Sequence, residues 1–435
     1  MKYYLLGIKG AGMGTLANIL YDLGNEVCGY DDARGYKFTE EGLRKRGIEI
    51  YYEPHEIDKD TIVTYSKALG DNHKEVKRVR ELGYTVKEYR DVIADLTKQF
   101  NTVGVSGTHG KTTTSLLISN IINNTLGCNF FVGDGTGSAT KGNDIFVIES
   151  DEYNKHFLSY YPNIAIITNI ELDHVECYDG LEDIINSFKI FGEKSDLVIA
   201  CGDDENIRKI EFSNDKEVIY YGFNENNNVI AKNVVLTKDG SEFDVYIDGE
   251  FYEHFDLPLY GKHMILNALA AIIVSRRFNI EKDDIKKYIS TFVSPKRRFK
   301  EDVFGDIVVI DDYAHHPTEI RVTIEAAKQK YPDKEIVSVF LPNTYSRTEA
   351  LLDDFIKDLS ISDKVYVMDI LCDRERSEDY KGVSSDLIIY GIKGAEKISL
   401  DTVEKLLTHK NAVICFMSCG YIMPLIDKFK ELVKE

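Results

Sequence analysis

The run Gly107-Thr108-His109-Gly110-Lys111-Thr112-Thr113 constrains this chain more than any other stretch. It follows an apolar run at 102–105 and opens a stretch of helical apolar spacing at 113–123, so it joins a buried strand to a helix. Glycine lets the backbone curl round an anion without a Cβ clash. The amides at the helix start then face that anion, and the helix dipole favours it. Lys111 can reach the outer phosphates, and the Thr112 hydroxyl suits magnesium. Val105 stands where the strict phosphate-loop pattern has its first glycine, so this is a tighter variant. A glycine turn without a ligand has no use for Lys-Thr at this junction, and the spacing predicts a nucleotide-phosphate site.

Alternating apolar and amphipathic stretches run through all 435 residues, which at roughly 150 residues per domain makes about three α/β domains. The first, residues 1–98, opens with an apolar run at 3–8, a glycine cluster, helical spacing at 13–23 and a second run, Glu26–Tyr30. With further runs at 61–65 and 84–86 this predicts an N-terminal Rossmann-like parallel sheet. The central domain, 99–293, places strands at 102–105, 144–148, 164–168 and 197–200 around the phosphate loop, a P-loop-type ATPase arrangement. Alternation at 217–257, punctuated by Asp239-Gly240 and Asp248-Gly249, predicts a small antiparallel insert before a helix at 265–277. The C-terminal domain, 294–435, reads as a second Rossmann-like α/β unit. Its strands fall at 306–310, 335–340, 364–368 and 412–416, with helices at 318–330 and 348–359.

Two acidic segments, Glu149-Ser150-Asp151-Glu152 and Thr168-Asn169-Ile170-Glu171-Leu172-Asp173-His174, end central strands. Ligands of open α/β sheets bind beyond the carboxyl ends of strands, where a carboxylate can hold magnesium. Singly, each is an ordinary acidic loop or helix cap; two in one nucleotide domain point to a metal and substrate site. The N-terminal cluster Gly7-Ile8-Lys9-Gly10-Ala11-Gly12-Met13-Gly14 misses the G-x-G-x-x-G spacing. It fits NAD, or a pyrophosphate-containing sugar nucleotide held the same way, with Asp31 at the end of the second strand facing ribose or base.

Charge narrows the partners. A formal net charge of −20 excludes nonspecific adhesion to nucleic acid or to an anionic membrane surface. The seven cysteines are scattered without a Cys-x-x-Cys, so neither a disulfide framework nor a thiolate zinc site is expected. Neither a signal peptide nor a membrane-spanning stretch is read, and the expected location is cytoplasmic.

Taken together, these segments resemble the Mur ligase family over nearly the whole chain. GIKGAGMG is similar to its N-terminal loop for a UDP-sugar and GTHGKTTT to its ATP loop, while ESDEYNKHFL and TNIELDH resemble its metal and substrate segments. GKHMILNALAA, RRF at 297–299, DDYAHHPTE at 311–319 and LPNTYSRT at 341–348 follow in the family's order. GAGMG with DDYAHHPTE resembles the alanine-adding branch. The resemblance implies ATP-dependent joining of L-alanine to the lactyl carboxylate of UDP-N-acetylmuramate, through an acyl phosphate, in peptidoglycan synthesis, by a monomer or weak homodimer. It implies ATP contacts from Gly107, Thr108, His109, Gly110, Lys111, Thr112, Thr113, Asn267, Arg298 and Asp312. Thr112 and Glu149 would hold one Mg2+, and His174 would help hold a second. Gly10, Gly12, Met13, Asp31 and Ser66 would line the UDP-sugar site. Tyr313, His315 and Arg347 would meet the lactyl group and the amino acid. Lys111, Glu149, His174 and Arg298 would carry the catalysis.

This chain departs from the family at Met264 and Asn343, where Asn and His are usual, and at Ser418-Cys419-Gly420. Three other readings stay open from the residues: a ligase adding a preformed tripeptide to the same sugar nucleotide, an NAD-linked oxidoreductase using the N-terminal glycines, and a non-catalytic nucleotide-binding regulator.

Overall fold

The computed structural model describes residues 1–66, 68–174, 176–293, 297–372 and 375–434. Three sheets follow one another along the chain. The expected boundary at residue 294 lies outside the described residues.

The first sheet is wholly parallel. Its strands are β1 (Lys2–Leu6), β2 (Glu26–Tyr30), β3 (Glu49–Tyr51), β4 (Ile62–Tyr65) and β5 (Thr85–Glu88), in the order β3-β2-β1-β4-β5. Chain order reverses at β1, whose neighbours are β2 and β4. A crevice therefore opens beyond the carboxyl ends of β1 and β4. The glycine cluster leaves β1 there and Ser66 follows β4.

The second sheet contains β6 (Asn101–Ser106), β7 (Asn129–Phe131), β8 (Gly137–Ser138), β9 (Ile145–Glu149), β10 (Ile164–Ile167), β11 (Leu197–Cys201), β12 (Glu217–Gly222), β13 (Val229–Thr237), β14 (Gly240–Ile247) and β15 (Glu250–Leu257). Its order is β15-β14-β13-β12-β11-β10-β6-β9-β7-β8. β6 lies between β10 and β9, so all three carboxyl ends face one crevice. The expected antiparallel insert is present, over a shorter span than 217–257. β12 runs parallel to β11, pairing Leu197 with Glu217, and belongs to the main sheet. Only β13–β15 form an antiparallel meander, and it extends the same sheet through the pair Tyr221–Val229. The turn at Asp248-Gly249 has positive φ at both residues, the geometry that joins twisted antiparallel strands tightly.

The third sheet runs β16-β17-β21-β18-β19-β20. Its strands are β16 (Lys300–Phe304), β17 (Ile307–Asp312), β18 (Glu335–Phe340), β19 (Lys364–Val367), β20 (Glu396–Lys397) and β21 (Ala412–Met417). β16 is an antiparallel edge and the rest are parallel. The helix expected at 348–359 is two helices, Tyr345–Ala350 and Leu352–Leu359, broken at Leu351 where φ is −119°. The first short helix carries Arg347, which reaches Asp173 of the central domain.

One apolar core is continuous through the first two domains, from Tyr3 to Phe292. The third domain keeps its own core on each face of its sheet. Its junction with the central domain is largely polar, with Phe299 packed against Tyr260. Among the described residues, no helix is long and apolar enough to cross a membrane.

Candidate functional site

The carboxyl ends of β6, β9 and β10 meet the third domain around a cavity of about 670 Å³. The central domain lines it with residues 108–112, Glu149, Asp151, Glu152, Asp173 and His174; the third domain adds Arg298, Tyr313, His315, Glu319 and Arg347.

The phosphate loop is pinned from behind. Thr108 N–H donates to the Asn169 carbonyl at 3.0 Å, His109 N–H to Asn169 Oδ1 at 2.8 Å, and Thr168 Oγ1 to the His109 carbonyl at 2.6 Å. Gly110 caps the helix Lys111–Asn123 at φ +80°, a left-handed conformation that glycine adopts at little cost. The amides of Lys111, Thr112 and Thr113 open that helix and have no partner within it, which leaves them for an anion. Thr113 itself is buried in the helix and lines no part of the cavity.

Acidic groups face the loop. Thr112 Oγ1 donates to Glu149 Oε2 at 3.0 Å, and Gly133 N–H donates to the same oxygen at 2.9 Å. Burial pushes the Glu149 carboxyl above its ordinary range. Asp151 is pushed up to about 6, by burial and by the neighbouring Glu152. Lys111 Nζ donates to Glu152 at 2.8 Å and to the carbonyls of Gly107 and Thr108. Burial works against the Lys111 ammonium, but Glu152, Asp151 and Glu149 outweigh it and raise the group. His174, held at φ +51°, lies 3.6 Å from Glu152 with its ring edge against Tyr153. Burial disfavours its charge, yet Glu152, Glu176 and Asp173 raise it to about 10.

Polar contacts clasp the third domain to this crevice. Arg347 donates to Asp173 Oδ1 at 2.7 and 3.1 Å, and also to Asn343 Oδ1. His109 lies between Glu171, at 3.3 Å, and Glu319, at 3.2 Å. Burial opposes its charge, but Glu319 and Glu171 raise it to about 9. Thr318 Oγ1 donates to Glu171 at 2.7 Å. Arg298 lies over the Tyr313 ring at 5.2 Å, with Glu319 3.9 Å away. Burial holds His315 below its ordinary range, and its Nδ1 lies 3.0 Å from the Tyr313 carbonyl.

Other expected residues lie elsewhere. Asp312 is buried and accepts from the amides of Phe299 and Ala314; it lines a second cavity of about 250 Å³ with Tyr260, His263, Met264 and Phe299. Asn267 lines neither cavity: it packs under Gly110 and donates to Met264 Sδ. Gly10, Gly12, Met13, Asp31 and Ser66 gather at the carboxyl end of the first sheet, outside the main cavity. Gly10 caps the helix Ala11–Asp22, Met13 is buried, and Tyr89 closes over Gly12. Asp31 accepts from the amides of Lys9 and Ala33.

Sequence reasoning gave no role to Glu152, Asp173, Glu171 or Glu319, which partner the cations of the cavity. The only signal for the first three was their place in the acidic strand ends. Glu319 also closes a capping box with His316 at the start of its helix.

Three family models match in series: Mur ligase family, catalytic domain, at residues 2–101; Mur ligase middle domain at 105–275; and Mur ligase, glutamate ligase domain, at 297–418. Among solved structures, the UDP-N-acetylmuramate-alanine ligase MurC of Thermotoga maritima is 27% identical, with a TM-score of 0.80 over 100% of this chain and 99% of that one. A murein peptide ligase of Psychrobacter arcticus 273-4 is 21% identical, with a TM-score of 0.68 over 100% and 98%. The MurF ligase of Thermotoga maritima in complex with ADP is 18% identical, with a TM-score of 0.66 over 94% and 95%.

Proposed function

The chain belongs to the Mur ligase family of ATP-dependent ligases of peptidoglycan synthesis, and from that premise we propose that it joins L-alanine to the lactyl carboxylate of UDP-N-acetylmuramate. One observation carries the reading: Lys111, Glu149, His174, Arg298, Tyr313, His315 and Arg347, drawn from two domains, line a single cavity. The likeness to the MurC of Thermotoga maritima supports the alanine-adding branch.

In this reading the helix start at Lys111 receives the ATP phosphates, with Arg298 facing them from the third domain. The Thr112 hydroxyl and the Glu149 carboxylate, 3.0 Å apart, form a hard oxygen pair that fits magnesium. Magnesium there supplies charge neutralisation for phosphoryl transfer. His174 fits a second such ion less well, since a ring charged beside Glu152 must first shed its proton to become a ligand. The sugar-borne carboxylate attacks the γ-phosphorus and ADP leaves, giving an acyl phosphate. The amine then attacks the acyl carbon and phosphate departs. His315 suits the proton that the amine sheds, because burial keeps the ring neutral. Its Nδ1 is engaged by the Tyr313 carbonyl, which leaves Nε2 as the basic nitrogen. Arg347 orients the acceptor beside Asp173. The second cavity, walled by Tyr260, Met264 and Phe299 next to Asp312, suits the adenine.

The test is phosphate release from ATP with UDP-N-acetylmuramate, comparing L-alanine, glycine, L-serine and a tripeptide. Release with alanine supports the reading. Release with the tripeptide alone assigns the chain to the peptide-adding ligases, and release with none of these overturns it.

A further inference from the structure

A lysine inside a glycine turn expected to bind a diphosphate reads at once as a phosphate ligand. Lys9 is not placed for that. Its side chain is 0% exposed and turned under the turn. Its ammonium lies 2.7 Å from Glu40, a carboxylate itself only 2% exposed, and donates to the carbonyls of Ala33 at 2.5 Å and Gly35 at 2.6 Å. The Tyr52 ring lies 5.3 Å from the charge. All three ammonium hydrogens thus have protein partners.

The Lys9 backbone is used in the same direction. Its N–H donates to Asp31 Oδ2 at 2.9 Å, and its carbonyl accepts from Thr39 Oγ1 at 2.7 Å. One residue of the turn therefore touches five places between Asp31 and Glu40. That segment has no strand or helix from 31 to 39, so it has no ladder of its own to hold it. It carries two exposed aromatics, Tyr36 and Phe38, and Phe38 packs against Gly135 of the central domain, where a Cβ would come within 3.2 Å of the Phe38 ring. The same central loop donates Gly133 N–H to Glu149.

We propose that Lys9 is a positioning residue: paired with Glu40, it anchors residues 31–39 as a strap beside the N-terminal glycine turn and so shapes the sugar-nucleotide subsite without touching the ligand. This rests on the function proposed above. The two roles differ in sign at Glu40. If Lys9 were a ligand, removing its counter-charge would free the ammonium for the diphosphate and tighten binding. As an anchor, it leaves a buried charge without its partner and loosens the strap.

The test compares Glu40→Gln, Lys9→Met and the double variant K9M/E40M, which restores an uncharged, packed pair. Glu40→Gln and Lys9→Met should each raise KM for the sugar nucleotide about tenfold or more, the usual cost of losing a hydrogen-bonded charge. KM for ATP and the saturated kcat should stay within about twofold. The double variant should recover part of the loss. In ligand-free protein, Glu40→Gln should speed amide exchange at 31–40 and leave 111–123 protected. A lower or unchanged sugar-nucleotide KM in Glu40→Gln, or unchanged exchange at 31–40, overturns the proposal. Calorimetry with UDP separates it from the reading beneath it. A wild type that binds no UDP sinks both. A wild type that binds UDP, with Glu40→Gln binding as tightly, sinks the strap alone.

Discussion

Replacing Lys111 with alanine tests the phosphate site most directly. The ammonium lies 2.8 Å from Glu152, whose side chain is 4% exposed, and Lys111 is itself 13% exposed. At an effective dielectric near 20, that separation corresponds to an attraction of about 6 kcal/mol before desolvation is counted. Breaking a buried pair by deleting one partner typically costs about 3–5 kcal/mol. Here Glu152 keeps His174 at 3.6 Å, so the lower end is expected and the variant should fold. Catalysis should suffer separately. Losing one preorganised positive group that meets developing charge costs about 3–4 kcal/mol of barrier, or 10²–10³-fold in turnover. Amino-acid-dependent phosphate release measures the second effect. Thermal unfolding with and without Mg-ATP measures the first, and the ligand-induced rise in Tm should shrink with the loss of the phosphate contact. A folded Lys111→Ala enzyme with near-normal turnover would refute the reasoning, because no other lysine lines the cavity among the described residues.

Two further outcomes concern the clasp between the central and third domains. Asp173→Asn leaves the Arg347 guanidinium, 11% exposed, without its carboxylate; kcat/KM should fall at least about tenfold and the radius of gyration in solution scattering should rise. His109 is raised from an ordinary 6.5 to about 9, so its pairing with Glu171 and Glu319 is complete below pH 6.5 and is lost as pH rises through 9. The loss is on the order of 3 kcal/mol, read as a fall in wild-type Tm from pH 6.5 to 9.5 that His109→Gln should largely abolish.

How much of this was legible beforehand follows the range of the interactions. The phosphate loop was readable because strand, glycines, Lys-Thr and helix are contiguous, and β6 with its helix forms where expected. The acidic strand ends were readable because chain direction alone puts them at one edge of the sheet. Their partners were not. Lys111 meets Glu152 across 41 residues and Arg347 meets Asp173 across 174, and no local pattern encodes either pairing. Short edge strands escaped for a different reason. β8 and β20 have two residues each, too few for alternation to show. The antiparallel reading of 217–257 held for β13–β15 and missed β12, which lies between β11 and β13 and runs parallel to both; a parallel and an antiparallel strand can carry the same alternation and differ only in their partner. Lys9 drew no role because its partners, the carbonyls of Ala33 and Gly35 and the Glu40 carboxylate, stand far along the chain and no local pattern encodes where its side chain turns.

The distribution of apolar surface explains why the clasp is built from charges. The first two domains share a core, so their glycine turn and phosphate loop hold a fixed relation. The buried apolar clusters of the third domain are its own, and apart from Phe299 against Tyr260 it meets the central domain largely through polar groups, among them His109, Asp173, Glu171 and Glu319. On the proposed function, an apolar junction would hold the two domains together and oppose product release from the cavity between them. A junction of buried ion pairs is near balance, since desolvation offsets most of the attraction. On the proposed function, such a junction would close around a polyphosphate that supplies new charge and open when that charge departs. The Lys111–Glu152 pair fits the same reading: with each group neutralising the other, the ammonium stays charged in a buried site, and on the proposed function a phosphate group would need only to take the place of one carboxylate.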